Sequence, residues 1–109
     1  MVQANWSGEY PGLCEGEWTL VVDGVDVSDK IPLSLRDRNM NTQGIYCEWC
    51  FEARGIEQRK YLDGLPLIEW VKSNDYWLSE ITTEFSIKKD IFEAIRHQDF
   101  RGGQCGGCL

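Results

Sequence analysis

Two cysteine pairs at matching spacing constrain this chain more than any other feature. Cys47-x-x-Cys50 lies mid-chain, and Cys105-x-x-Cys108 stands in the last residues, its two thiols separated only by glycines. A C-x2-C unit grips a metal ion like a pincer, and a structural zinc shell takes four such ligands in a tetrahedron. Glycine has no Cβ, so Gly106 and Gly107 let both tail sulfurs turn toward one spot. Two thiols cannot fill the shell. A metal held by the tail therefore draws partners from elsewhere and ties an otherwise frayed terminus to the body of the fold.

The fifth thiol, Cys14, sits between Gly12 and Gly16 in a stretch over residues 5–16 whose glycines and proline predict irregular turns. Clustered thiols in an odd number favour metal or redox chemistry over a disulfide framework in a reducing compartment. The start of the chain has neither a basic region nor an apolar core of the signal-peptide kind, and no apolar run reaches 18 residues. The expectation is a cytoplasmic protein.

Hydrophobic periodicity sets out the elements. From Glu17 to Val22 apolar residues alternate, with Trp18, Leu20 and Val22 on one face, and Asp23-Gly24 then signals a tight hairpin into Val25–Val27. Residues 33–42 read as a loop or short turn. A second alternating stretch covers residues 44–53, and a further strand is expected over residues 57–62. Pro66 suits the first turn of a helix whose apolar face (Leu67, Ile68, Trp70, Val71) reaches Ser73-Asn74. Tyr76, Trp77, Leu78 and Ile81 form a short second element. Ser86 is the expected N-cap of a last helix striped by Ile87, Ile91, Phe92 and Ile95, ending near Gln98-Asp99.

Strands followed by helices in a chain of 109 residues predict one domain over residues 1–109. Its class is α+β, a small antiparallel sheet with C-terminal helices, stapled by one zinc. A zinc-ribbon-like fold with helical additions is the alternative.

Strand geometry bears on the ligand set. If residues 45–52 are extended, Cys47 joins Ile45, Trp49 and Phe51 on the core face, and Cys50 points the other way. Cys47 then behaves as a small core residue. The preferred metal ligands are Cys14, Cys50, Cys105 and Cys108. A set with Cys47 in place of Cys14, or thiols without metal, remain open. Four thiolates leave no water on zinc, which makes the site structural.

Catalytic chemistry has little to stand on. Cys105-Gly-Gly-Cys108 does not open a helix after a strand, the setting that stabilises a redox thiolate. His97 is the single histidine and falls at a helix end. Glu48 and Glu52 share a strand face, as many exposed carboxylates do. The tail glycines precede no helix, so no phosphate loop is formed. The expectation is that the chain is not an enzyme.

Charge is the remaining signal. The net charge is −7, and residues 1–29 hold Glu9, Glu15, Glu17, Asp23, Asp26 and Asp29 with no Lys or Arg. This lacks the basic footprint of a nucleic-acid binder. It fits either plain solubility or an acidic face for a basic partner.

The stretches Tyr10-Pro-Gly-Leu-Cys14-Glu-Gly-Glu-Trp18, Asp26-Val-Ser-Asp29-Lys-Ile-Pro32 and Asp99-Phe-Arg-Gly-Gly-Gln-Cys-Gly-Gly-Cys108 resemble a family of small uncharacterised phage and prophage proteins. The resemblance groups Cys14, Cys105 and Cys108 and implies a mobile-element origin. It suggests a protein that binds and inhibits a host defence protein, as anti-CRISPR inhibitors do. The implied partner is a host protein with a basic surface, such as a CRISPR effector nuclease, met by the six carboxylates and without direct nucleic-acid or membrane contact. A phage accessory interaction module and a small C-x-x-C redox protein are the alternatives.

Overall fold

The computed structural model describes residues 1–9, 15–43 and 64–99. All five cysteines, and the strands expected over residues 44–53 and 57–62, lie outside the described residues.

The described strands form one antiparallel sheet in the order β1-β2-β3. β2 (Trp18–Val22) is central, with β1 (Val2–Trp6) on one side and the short β3 (Val25–Asp26) on the other. The register sets Trp6 against Trp18, Ala4 against Leu20 and Val2 against Val22. Side chains alternate across a strand, so these six share one face. Trp6, Trp18 and Leu20 are buried there, while Gln3, Asn5 and Thr19 are exposed on the other face.

The expected hairpin is present. Asp23 (φ 50°) and Gly24 (φ 81°) both take left-handed backbone, as a two-residue turn of this hand demands. β1 was not anticipated. It alternates over only five residues and includes Gln3 and Asn5, so its strand character comes from pairing with β2.

A 3-10 turn at Ser28–Lys30 and a short helix α1 (Leu33–Arg36) follow. Two longer helices follow: α2 (Leu67–Ile81), with Pro66 at its N-cap, and α3 (Phe85–Gln98). α3 packs on β1 and against α2. Its buried stripe is Ile91, Phe92 and Ile95, with Ile87 half-buried, as periodicity implied.

Two helix expectations need correction. α2 does not stop at Ser73-Asn74. Asn74 is buried, donates its amide to Trp70 O at 2.8 Å and accepts from Trp77 Nε1 at 2.9 Å. A residue that usually breaks helices is satisfied within this one. α3 begins at Phe85 with Glu84 as N-cap, so Ser86 lies inside the helix. Thr82 Oγ1 takes the Glu84 amide at 3.1 Å and turns the chain between the helices.

Tryptophans dominate the core. Trp6 and Trp18 meet at a tilt of 52° with ring centroids 5.2 Å apart, and Trp70 meets Phe92 and Trp77 edge-on at 5.4 and 6.1 Å. Such pairs contribute about 0.5–1.5 kcal/mol beyond the area they bury.

Candidate functional site

The run from Arg38 to Thr42 organises one end of the molecule. Asn39, Met40, Asn41 and Thr42 are buried, yet they belong to no helix or strand. Buried irregular backbone needs partners from elsewhere. Trp18 Nε1 donates to Arg38 O at 2.8 Å, and Trp70 Nε1 donates to Met40 O at 3.0 Å. Leu65 N donates to Asn41 O at 2.9 Å. Asn41 itself is left-handed, at φ 62°, a conformation asparagine tolerates better than most residues.

Asp99 completes the arrangement. It follows α3, and its carboxylate accepts from Met40 N at 3.2 Å, from Thr42 N at 3.1 Å and from the Thr42 hydroxyl. Hydrogen bonds to a carboxylate are shorter and stronger than neutral ones. Beside them, Gln43 Nε2 donates to Arg96 O at 2.6 Å. Residues 40–43 and residues 96–99 are thus joined at several points.

This junction gathers the roots of the cysteine-bearing stretches. Cys14 stands four residues before Trp18, Cys47 four residues after Gln43 and Cys105 six residues after Asp99. An extended chain spans at most about 3.6 Å per residue, so the α-carbons of Cys14, Cys47 and Cys105 can lie no more than about 14, 14 and 22 Å from those of Trp18, Gln43 and Asp99. The limit does not choose between Cys47 and Cys50. Cys14, Cys50, Cys105 and Cys108 all lie outside the described residues. Among the described residues, no group of three or more His, Cys, Asp or Glu is placed to hold a metal ion. A soft thiolate set suits zinc by its chemistry.

The neck of the stretch carrying Cys14 is tightly closed. Ser7 N donates to Glu17 O at 3.2 Å, and Glu17 N donates to Ser7 Oγ at 2.8 Å. A Cβ on Gly16 would lie 2.5 Å from Gly8 N, so only glycine lets the two strands of the neck approach this closely.

The six carboxylates of residues 1–29 are all exposed but do not form one patch. Glu9, Glu15 and Glu17 border the closed neck. Asp23 and Asp26 lie toward the opposite end of β2, whose Trp18-to-Val22 span alone is about 13 Å, and Asp29 follows Ser28, which bonds to Leu20 in the middle of that strand. Two of this second group have partners within the domain. Asp23 pairs with the Met1 ammonium. Asp26 accepts from Ser28 N at 2.9 Å, and the Ser28 hydroxyl and amide hold its carboxyl below the ordinary carboxylate range. His97 is exposed in the last turn of α3, next to Arg96, where basic side chains face the negative end of the helix dipole.

A family model described as PM0253 matches residues 4–99. The chain belongs to the PM0253 family. The matched span runs from β1 to Asp99, so it includes every described helix, the whole junction, and Cys14, Cys47 and Cys50. An uncharacterized protein PM0253 of Pasteurella multocida (strain Pm70) is 32% identical over 112 residues, covering 97% of this chain and 90% of that relative. No solved structure matches the chain. Among the described residues, no helix is long and apolar enough to cross a membrane.

Sequence reasoning did not single out Asp99, Thr42, Trp18 or Trp70 as a unit. Only one local signal pointed to it. An aspartate directly after a helix opposes the dipole and so wants another partner.

Proposed function

We propose that this PM0253-family chain is a binding module in which one zinc ion staples the cysteine-bearing stretches to one end of the domain. Cys14, Cys50, Cys105 and Cys108 would hold the ion. Bound there, zinc supplies cross-linking rather than reactivity, because a closed thiolate shell has no open position. The observation that supports the reading is the junction of Trp18, Arg38–Thr42 and Asp99, which ties together chain segments flanking all three stretches.

The binding face in this reading is the acidic group Glu9, Glu15 and Glu17 at the closed neck. A loop fixed at its neck and at Cys14 presents carboxylates in a set geometry, which lowers the ordering cost of association. The partner chemistry is a basic protein surface. The sharper form of the proposal is a groove that otherwise holds nucleic acid, as in a CRISPR effector nuclease, with the chain acting as a phage-type inhibitor. What supports it is charge complementarity, which speeds association at low salt.

Native mass spectrometry tests the first half: one zinc per chain is expected, retained in Cys47→Ala and lost in Cys50→Ala. A folded, metal-free chain from chelator-free purification would refute it. Reversal of Glu9, Glu15 and Glu17 to Lys tests the second half. Weaker partner binding with a shallower salt dependence is expected. Unchanged affinity and salt slope would move the binding face elsewhere.

A further inference from the structure

We infer that the recess between α1 and α2 is a binding site for a small neutral carboxamide, recognised by the side-chain amide of Asn41. No part of this site depends on the metal proposed above.

The recess holds about 210 Å3. It is walled by Leu35 of α1, by Asn39 and Asn41 of the buried run, and by Ser73 and Tyr76 of α2. Drug-sized ligands occupy pockets of about 300–1,000 Å3, so this volume suits a smaller molecule, of one ring. Charged residues make up 27% of the chain, yet none of the described residues lining the recess carries a charge. A charged ligand would meet no counter-charge there, and burying it unpaired is costly. The occupant is therefore neutral.

Asn41 supplies the chemistry. It is 7% exposed, and its Oδ1 is buried with no hydrogen-bond partner. Nearly all buried polar groups are paired, so an orphan acceptor calls for an explanation. Backbone geometry does not give one. At φ 62° glycine serves as well as asparagine and brings no polar group to bury. The fold uses only the main chain here, where Asn41 O accepts from Leu65 N at 2.9 Å. Asn74, in the same wall as Ser73 and Tyr76, differs: both ends of its amide are spent, on Trp70 O and Trp77 Nε1.

No hydrogen bond restrains the Asn41 Oδ1, and the torsion that carries the amide is broad and roughly two-fold. A turn about that torsion brings Oδ1 to the recess with an N–H beside it. The group that complements an acceptor and a donor side by side is another carboxamide. A carboxylate does not, since it only accepts. Tyr76, 65% exposed, adds an aromatic surface for the planar body of such a ligand.

The experiment titrates the full chain with nicotinamide and, separately, with nicotinate, its carboxylate analogue of the same shape. Two-dimensional NMR follows the amides of Met40, Asn41 and Ser73 and the indole N–H of Trp70, which donates to Met40 O. The variants are Asn41→Gly, Tyr76→Ala and, on the exposed sheet face, Asn5→Ala, with the melting temperature of each measured alongside. Nicotinamide is expected to shift the four signals saturably, and nicotinate to bind about tenfold more weakly. Asn41→Gly should keep the melting temperature, because glycine suits this backbone, and weaken nicotinamide about tenfold. Tyr76→Ala should weaken it by less, and Asn5→Ala should leave it unchanged.

Signals that do not move up to the solubility limit of nicotinamide overturn the inference. So does nicotinate bound as tightly as nicotinamide, or an Asn41→Gly chain that binds as well as wild type. Should Asn41→Gly fail to fold, Tyr76→Ala decides: nicotinamide affinity equal to that of wild type would place the site elsewhere.

Discussion

In the β2–β3 hairpin, backbone is satisfied mainly by backbone, with Ser28 Oγ as one nearby side-chain acceptor. Val27 N donates to Leu20 O at 2.9 Å, β1 pairs along the other edge of β2, and Ser28 Oγ takes the Leu20 amide at 2.8 Å. In the Arg38–Thr42 run, the carbonyls of Arg38 and Met40 go to two indoles, and the amides of Met40 and Thr42 go to one carboxylate. Both regions bury their polar groups with partners, but the partners of the second lie 20 to 59 residues away in sequence. The hairpin can form from local pairing alone. The Arg38–Thr42 run can be ordered only after the sheet, α2 and α3 have met around it. Its stability is therefore tied to the whole domain.

Trp70 gives the strongest test of that difference. Trp70→Ala removes a fully buried ring and the Met40 carbonyl's donor, and a loss of about 3–5 kcal/mol is expected in urea unfolding. Trp70→Phe separates the two effects. It keeps most of the apolar bulk and leaves Met40 O unpaired, at a cost of about 1–3 kcal/mol. Hydrogen exchange should then show protection lost at Met40 and Thr42 before it is lost in β2. Equal loss in both regions would break the comparison.

The hairpin has its own, smaller test. Gly24 stands at φ 81° with open space around the site of a Cβ, so Gly24→Ala meets backbone strain and no clash. About 1 kcal/mol is expected, with protection reduced in β3 and retained at Arg38–Thr42. A loss spread over the junction would show that the hairpin is not autonomous.

The smallest effect belongs to the pair that joins α2 and α3. Lys88 Nζ donates to Asp75 at 2.6 Å and to Ser79 Oγ at 3.1 Å. The Lys88 bond, aided by Ser79, holds the Asp75 carboxyl below its ordinary value. A lowered carboxyl pKa adds stability that is present above the ordinary carboxylate value and disappears as pH falls through the folded-state value. Asp75→Asn should therefore be slightly less stable than wild type at neutral pH. The two unfolding curves should converge in acid. A constant offset down to the lowest accessible pH would exclude the ionic contribution.

The same difference explains what could be read in advance. The alternation of Trp18, Leu20 and Val22, the Asp23-Gly24 turn and the Ile91–Phe92–Ile95 stripe are local patterns, and each appears as expected. β1 escaped notice because its evidence is its register with β2. The burial of Asn39–Thr42 escaped because it needs Trp18 and Trp70 as donors, and no window of ten residues contains both ends of those bonds. Asn74 looked like a helix end because its two satisfying contacts are invisible without the helix itself. The cysteines were legible as ligands by type and spacing. That their roots share one end of the domain was not, since Trp18, Thr42 and Asp99 meet only in three dimensions.

The glycine neck at Gly8 and Gly16 has a consequence for change over time. Because Ser7 and Glu17 already hold the ends of residues 8–16 together, the closure entropy of that loop depends only weakly on its length. Doubling such a loop adds only about 0.6 kcal/mol of closure entropy. The neck therefore behaves as a socket: loop length can change while the sheet below keeps its register, but the zinc and partner contacts proposed for Cys14, Glu9 and Glu15 bar the exchange of those three. Insertions that keep Gly16, Cys14, Glu9 and Glu15 are expected here at little cost to folding.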